Sequence, residues 1–197
     1  MASMSFDDVL LVPQYSDIES RKVLTTKSTW GDIDLYLPVI SSPMDTVTEV
    51  DMAAMIDAHG GLGIIHRYNS PADQANLVRR AKLKDTKNVG AAIGVTGDYL
   101  ERAQAVVESG ANVLCVDVAH GHHSMMKNAL AKLREVFGSS VHIMAGNVAT
   151  GKGACDLAEW GADSVRVGVG GGSICSTRLV SGHGVPTFQS VMDCVDA

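Results

Sequence analysis

The chain has 197 residues, 46% of them hydrophobic, and a formal net charge of −6. That is enough apolar content to bury a sizeable core in one domain, and the acidic balance argues against a nucleic-acid or anionic-membrane surface. No apolar run approaches the roughly 18–20 residues that span a bilayer. The start, MASMSFDDVLL, has no basic stretch leading into an apolar one, so no secretory signal is expected and the expected location is cytoplasmic. Cys115, Cys155, Cys175 and Cys194 show neither CxxC nor metal-ligand spacing and are expected to be reduced thiols.

From residue 37 onward, short apolar runs alternate with amphipathic stretches. A strand over 37–42 precedes a helical pattern over 50–58. A second strand, 61–66, leads to a helix over 70–84, which Ser70 caps and Pro71 opens at the first helical position. Strands over 89–94, 112–118 and 142–147 are followed by helices over 98–109, 124–137 and 152–160. A sixth strand, 164–169, comes before a last helix over 187–195. Gly110 and Gly161 follow two of these helices, where left-handed C-caps are expected. The phrases ESGANVLCVD and EWGADSVRVG echo each other, the mark of a repeated strand–helix unit.

The strands read as continuous apolar runs, which a parallel sheet buried on both faces requires. Units of roughly 25–30 residues fit either a doubly wound sheet or a (β/α)8 barrel, and periodicity alone does not decide between them. Six units are counted, where a closed barrel needs eight.

Both architectures bind ligands at the carboxyl ends of their strands, and the polar residues cluster there. The strand ends carry Ser41-Ser42-Pro43-Met44-Asp45, His66-Arg67, Asp117, Gly146-Asn147 and Gly168. The densest signal is GVGGGSICSTR, residues 168–178, with four glycines in its first five positions. Such a loop lets backbone approach a ligand closely and can present amides to an anion or carbonyls to a cation. Cys175 follows on this loop, where nearby positive charge could activate its thiol. The residues alone leave a nucleophile and a bystander thiol equally open. Asp117 suits ribose hydroxyls, with an N-cap as the plainer reading, and the same two readings apply to Asn147. Arg166 inside an apolar strand should point to a carboxylate or a polar site. His120, His122 and His123 lie close in sequence without a convincing fourth metal ligand.

The segments SFDDVLLVPQYSDIESR (5–21), PVISSPMDTVTE (38–49), GGLGIIHRYNSPADQANLVR (60–79), DVAHGHHS (117–124), IMAGNVAT (143–150) and GVGGGSICSTRLVSGHGVP (168–186) resemble, in order, the signatures of the IMP dehydrogenase/GMP reductase family. The resemblance implies a (β/α)8 barrel, of which about six units lie in this chain as a single catalytic domain over residues 1–197, incomplete at its C-terminal side. It implies a homotetramer that binds a purine nucleotide, IMP or GMP, and a nicotinamide cofactor, NAD or alternatively NADP.

By the same resemblance Cys175 is the nucleophile and Thr177 its acid–base partner. Ser42, Met44 and Ser173 contact the nucleotide, and Asp117, Asn147, Arg166 and Gly168 hold the cofactor. The carbonyls of Gly170, Gly172 and Cys175 bind a potassium ion. The implied reaction oxidises IMP to XMP with NAD through a thioimidate on Cys175; the alternatives are reduction of GMP to IMP with NADPH and release of ammonia, and a non-catalytic nucleotide-binding fragment. Only a short turn joins Lys84 to Val89, leaving no room for CBS modules there. Gly171 and Ser176 depart from the commoner residues of the family's loop. The family's seventh and eighth strands, and the flap or glutamate that separates its two activities, have no counterpart in these residues.

Overall fold

The computed structural model describes residues 3–31 and 33–197. An antiparallel hairpin, β1 (Ser28–Trp30) and β2 (Ile33–Leu35), precedes the repeating part of the chain. Six strands follow: β3 (Ile40–Ser41), β4 (Leu62–Ile65), β5 (Val89–Ile93), β6 (Val113–Asp117), β7 (His142–Val148) and β8 (Ser164–Val167). The intervening helices are α1 (Val50–Ala58), α2 (Pro71–Lys82), α3 (Tyr99–Glu108), α4 (Ser124–Phe137) and α5 (Gly151–Glu159). After β8 come a short α6 (Thr177–Ser181) and α7 (Thr187–Val195).

The six strands pair in parallel and strictly in chain order, from β3 to β8. A doubly wound sheet reverses its order at a switch point and carries helices on both faces. Here the order never reverses, and residues of α1 to α5 meet in one cluster with Ile65, Ala91, Ile93, Leu114, Val116, Ile143 and Ala145. The sheet curls into part of a (β/α)8 barrel, which settles the choice that periodicity left open.

The alternate side chains face inward. Leu62, Ile64, Ala92, Val113, Cys115 and Met144 form a second cluster, closed over by Trp30, Ile33 and Leu35 of the hairpin. The Trp30 ring stacks on His142, 5.9 Å between centroids. Because His142 opens β7, the hairpin sits at the amino-terminal mouth of the partial barrel. Its strands are three residues each, too short to show an alternating pattern in sequence.

The echoed phrases have a structural cause. The N–H groups of Gly110 and Ala111 bond back to Val107 and Val106, and those of Gly161 and Ala162 to Ala158 and Leu157. Gly110 and Gly161 take φ of 107° and 108°, as the expected C-caps require. The next residue then ties two strands together. Asn112 donates its N–H to the Val89 carbonyl at 3.1 Å and accepts the Val89 N–H on its side chain at 2.9 Å. Asp163 does the same to Ile143, at 2.8 and 2.7 Å.

At the other end of the sheet, β8 runs into the glycine-rich loop, which packs against α7. A Cβ on Gly171 would stand 2.0 Å from the Thr187 hydroxyl, and one on Gly170 would stand 2.8 Å from the Arg178 chain. The N-terminal segment docks here too. Phe6 meets Phe188 edge to face at 5.5 Å, and the Gln189 N–H donates to the Met4 carbonyl at 3.1 Å.

Asp163 also pairs with Arg134. Burial opposes its ionisation, but the Arg134 guanidinium and the Ile143 N–H prevail and hold its carboxyl below the ordinary 3.8. A carboxyl depressed in the folded state contributes stability that is present above its unfolded value and lost as pH falls through the folded one. Asp163→Ala should therefore cost roughly 1–3 kcal/mol, since the fully buried Ile143 loses its acceptor. Asp163→Asn, which copies Asn112, should recover much of that loss and remove the acid dependence. Urea unfolding at neutral pH and at a pH below 3.8 measures both effects; equal stability of the alanine variant would contradict this account.

Candidate active site

A cleft of about 400 Å³ opens at the carboxyl ends of the strands, lined among others by Arg67, Asp117, Asn147, Arg166, Cys175 and Thr177. Each comes from the end of a different strand or from the loop after β8, so the parallel pairing itself gathers them. Asp117 closes β6, and Arg166 lies on β8, two strands away. The Arg166 guanidinium bonds to the Asp117 carboxylate at 2.6 Å, with both side chains about one-quarter exposed. This answers the question of what an arginine does in an apolar strand. Directly behind it lies Cys115, whose thiol is 3.6 Å from Arg166 Nη1 and is pushed up to about 11 by burial.

Neither Asp117 nor Asn147 serves as an N-cap. His123 caps α4 by accepting the Met125 N–H at 3.1 Å, and Thr150 caps α5 by accepting the Gly153 N–H at 3.2 Å. Asn147 instead donates its amide to the Gly168 carbonyl at 2.8 Å. Gly168, at φ 125°, is thereby fixed at the point where β8 turns into the glycine-rich loop.

Cys175 is half-buried on that loop, just before α6 begins at Thr177. Its Sγ lies 3.4 Å from Thr177 Oγ1. The Thr177 hydroxyl and backbone N–H, helped by the Gly170 N–H and the Arg178 charge, draw the thiol below its ordinary value of 9.0 against the opposing effect of burial. Two thiols of one chain are thus shifted in opposite directions by their surroundings, one raised beneath the cleft and one lowered inside it.

The other expected residues are divided between the cleft and its surroundings. Gly168 and Gly170 line the cleft with Cys175, whereas Gly172 and Ser173 are exposed and do not. The Gly172 carbonyl accepts the Cys175 N–H at 3.1 Å. Ser42 and Met44 follow β3, at the opposite edge of the sheet, and do not line this cleft either. Their turn is closed by the Thr48 hydroxyl, which donates to the Ser42 carbonyl at 2.6 Å. The adjacent histidines have structural partners: His122 bonds Asp156 at 2.6 Å and packs on Trp160, and His123 caps α4.

The sequence places Arg67 at a strand end and Tyr68, Val118 and Ala119 beside strand ends without giving any of them a part; all four line the cleft. The available signal was position, since each follows directly on β4 or β6.

Residues 3–197 match the model of the IMP dehydrogenase / GMP reductase domain. An inosine-5'-monophosphate dehydrogenase of Cryptosporidium parvum is 37% identical over 234 residues, covering 97% of this chain and 57% of that protein. A GMP reductase of Leishmania major is 29% identical, covering 97% of this chain and 66% of that protein. The crystal structure of inosine 5' monophosphate dehydrogenase from Legionella pneumophila superposes with a TM-score of 0.92 at 44% identity, covering all of this chain and 60% of that one. The chain thus spans between 57% and 66% of the length of these relatives. With its fold, its sequence and the order of its strands all in agreement, the chain belongs to the IMP dehydrogenase/GMP reductase family.

Proposed function

We propose that this protein oxidises IMP to XMP with NAD, through a covalent intermediate on Cys175. The observation that carries the reading is the activated Cys175 thiol beside Thr177, in a cleft that also holds the Asp117–Arg166 pair. The thiolate adds to purine C2, forming a carbon–sulfur bond, while the Thr177 hydroxyl at 3.4 Å is placed to give or take a proton at sulfur or at an attacking water. NAD, when bound, supplies the acceptor for the hydride that leaves C2. Water then adds at the same carbon, the carbon–sulfur bond breaks, Cys175 returns as thiolate, and the oxygen remains on C2.

Asp117 is assigned to the cofactor ribose, with Arg166 holding its carboxylate in place and Asn147 fixing the Gly168 turn. Ser42, Met44 and Ser173 are assigned to the nucleotide. A nicotinamide dinucleotide suits the donors of this cleft, since Arg67 Nε is buried in its wall with no acceptor. The neutral carbonyls of Gly170, Gly172 and Cys175 suit potassium better than a divalent ion. Among the described residues no group of three His, Cys, Asp or Glu side chains competes for a metal. A homotetramer fits the nearly complete exposure of Leu10 (96%) and Leu11 (98%). No helix among the described residues is long and apolar enough to cross a membrane.

Reduction of GMP is the second reading, favoured by the likeness to the Leishmania major enzyme. There the same thiolate would attack C2 of GMP and ammonia would leave. NADPH, when bound, would supply the hydride that adds at C2, and cleavage of the carbon–sulfur bond would return Cys175 as thiolate and release IMP. A paired assay on the longest natural form of the protein separates the two. IMP with NAD and potassium should raise the absorbance of reduced nicotinamide, whereas GMP with NADPH lowers it if the protein is a reductase. Silence in both, with the protein folded, would point to nucleotide binding without turnover. Cys175→Ala should abolish turnover and leave nucleotide binding intact; undiminished turnover would refute the mechanism.

The thiols give an independent check. Iodoacetamide should modify Cys175 with a pH midpoint below 9.0, and Thr177→Val should move that midpoint upward. Cys115 should stay unmodified until the chain unfolds. Peptide mass spectrometry after timed alkylation reads each site.

A further inference from the structure

Three charged side chains other than the thiol line the cleft, and two of them, Asp117 and Arg166, are matched to one another. Arg67 is the remaining one. Its single hydrogen bond among the described residues runs from Nη2 to the backbone carbonyl of Asp117, at 3.3 Å. Nε is buried without an acceptor. Nη1 lies beside Gly94, where an added Cβ would stand in ordinary contact with it at 3.6 Å. A cation held in a cleft wall with donors unanswered is poised for a ligand that brings acceptors.

Arg67 is also held in place, unlike an arginine on a free surface. On one side, His66 is buried, bonds Glu49 at 3.1 Å and accepts the Tyr68 N–H at 3.2 Å. On the other, the Asn69 carbonyl accepts from Arg102 at 2.9 Å. Arg102 is itself fixed by Asp98 at 2.8 Å and by the fully buried Gln74 at 3.0 Å. Ser70 then caps α2. A loop pinned on both flanks loses little further freedom when a ligand binds.

We propose that Arg67 binds a phosphate oxygen of the cofactor, forming an anion subsite next to the place where Asp117 takes the ribose. The proposal rests on the assignment of a nicotinamide cofactor to this cleft. Its chemical logic is adjacency: Arg67 touches the backbone of Asp117, and in a nucleotide the 5'-phosphate is bonded next to the ribose. The planar fork of a guanidinium matches phosphate oxygens, whereas Asp117 and Arg166 leave no net charge to attract them.

The test is calorimetric titration of the full chain with nicotinamide mononucleotide and with nicotinamide riboside, which lacks the phosphate. The wild type should bind the mononucleotide more tightly, and added salt should weaken that advantage. Arg67→Gln should lower mononucleotide affinity about tenfold, the scale of one charge-assisted hydrogen bond, and leave the riboside unchanged. Arg67→Lys, which keeps the charge and loses the fork, should recover part of the affinity and serves as the control for folding. If Arg67→Gln weakens both compounds alike, or neither, the phosphate role is overturned while the cofactor assignment stands. If the wild type binds neither compound, the cofactor assignment falls and this inference falls with it.

Discussion

Parallel pairing in unbroken chain order is the constraint from which the rest of the molecule follows. When successive strands point the same way, every connection must cross back over the sheet, and a helix of ten or so residues is the economical way to do it. All the carboxyl ends then lie at one end of the molecule, and side chains far apart in sequence meet there without any special device. Asp117, Asn147 and Cys175 share a cleft because three strand ends share an edge. The opposite end is freed for structural work, and the Asn112 and Asp163 ties and the Trp30 hairpin are found there.

Within the cleft the electrostatics are set by pairing rather than by net charge. The Asp117–Arg166 bond stabilises two groups that would each be costly to leave alone in a partly buried site. It also ties the carboxylate to one place in the cleft wall. Asn147 performs the corresponding service for the backbone, holding the Gly168 carbonyl at the start of the glycine-rich loop. Cys175 then receives its activation from local donors, the Thr177 hydroxyl and two backbone N–H groups, with Arg178 adding a smaller effect.

Much of this was legible in the sequence, for identifiable reasons. The six strands and the longer helices showed themselves because strands buried on both faces are uniformly apolar and helices facing a sheet are not. The ends of those strands then marked Asp117 and Asn147 as candidates, and a charge inside an apolar strand marked Arg166. The hairpin stayed hidden because each of its strands is only three residues long, and α6 because it covers barely more than one turn. Gly170 and Gly171 suggested close approach of a ligand, yet part of their role is internal, to let the loop lie against Arg178 and Thr187. Arg67 was visible as a residue but silent as to role. A cation's partners are set by tertiary contacts, and its want of one cannot be read from its neighbours in the chain.

The meeting of Phe6 with Phe188, and of Met4 with Gln189, has a kinetic consequence. Nearly every other contact of the sheet joins a unit to the next one, so the strand–helix units can assemble progressively as the chain emerges. The N-terminal turn must instead wait for α7, far along the sequence, before its docking surface exists, and closing so long a loop carries an entropic cost that local contacts do not. Until then Phe6 has no aromatic partner, and the glycine-rich loop lacks one wall of the neighbouring cavity that Ser5, Phe6 and Asp7 help to line. Packing of the loop that carries Cys175 is thereby linked to a contact between distant parts of the sequence, so that the thiol meets its full surroundings only after that long loop has closed.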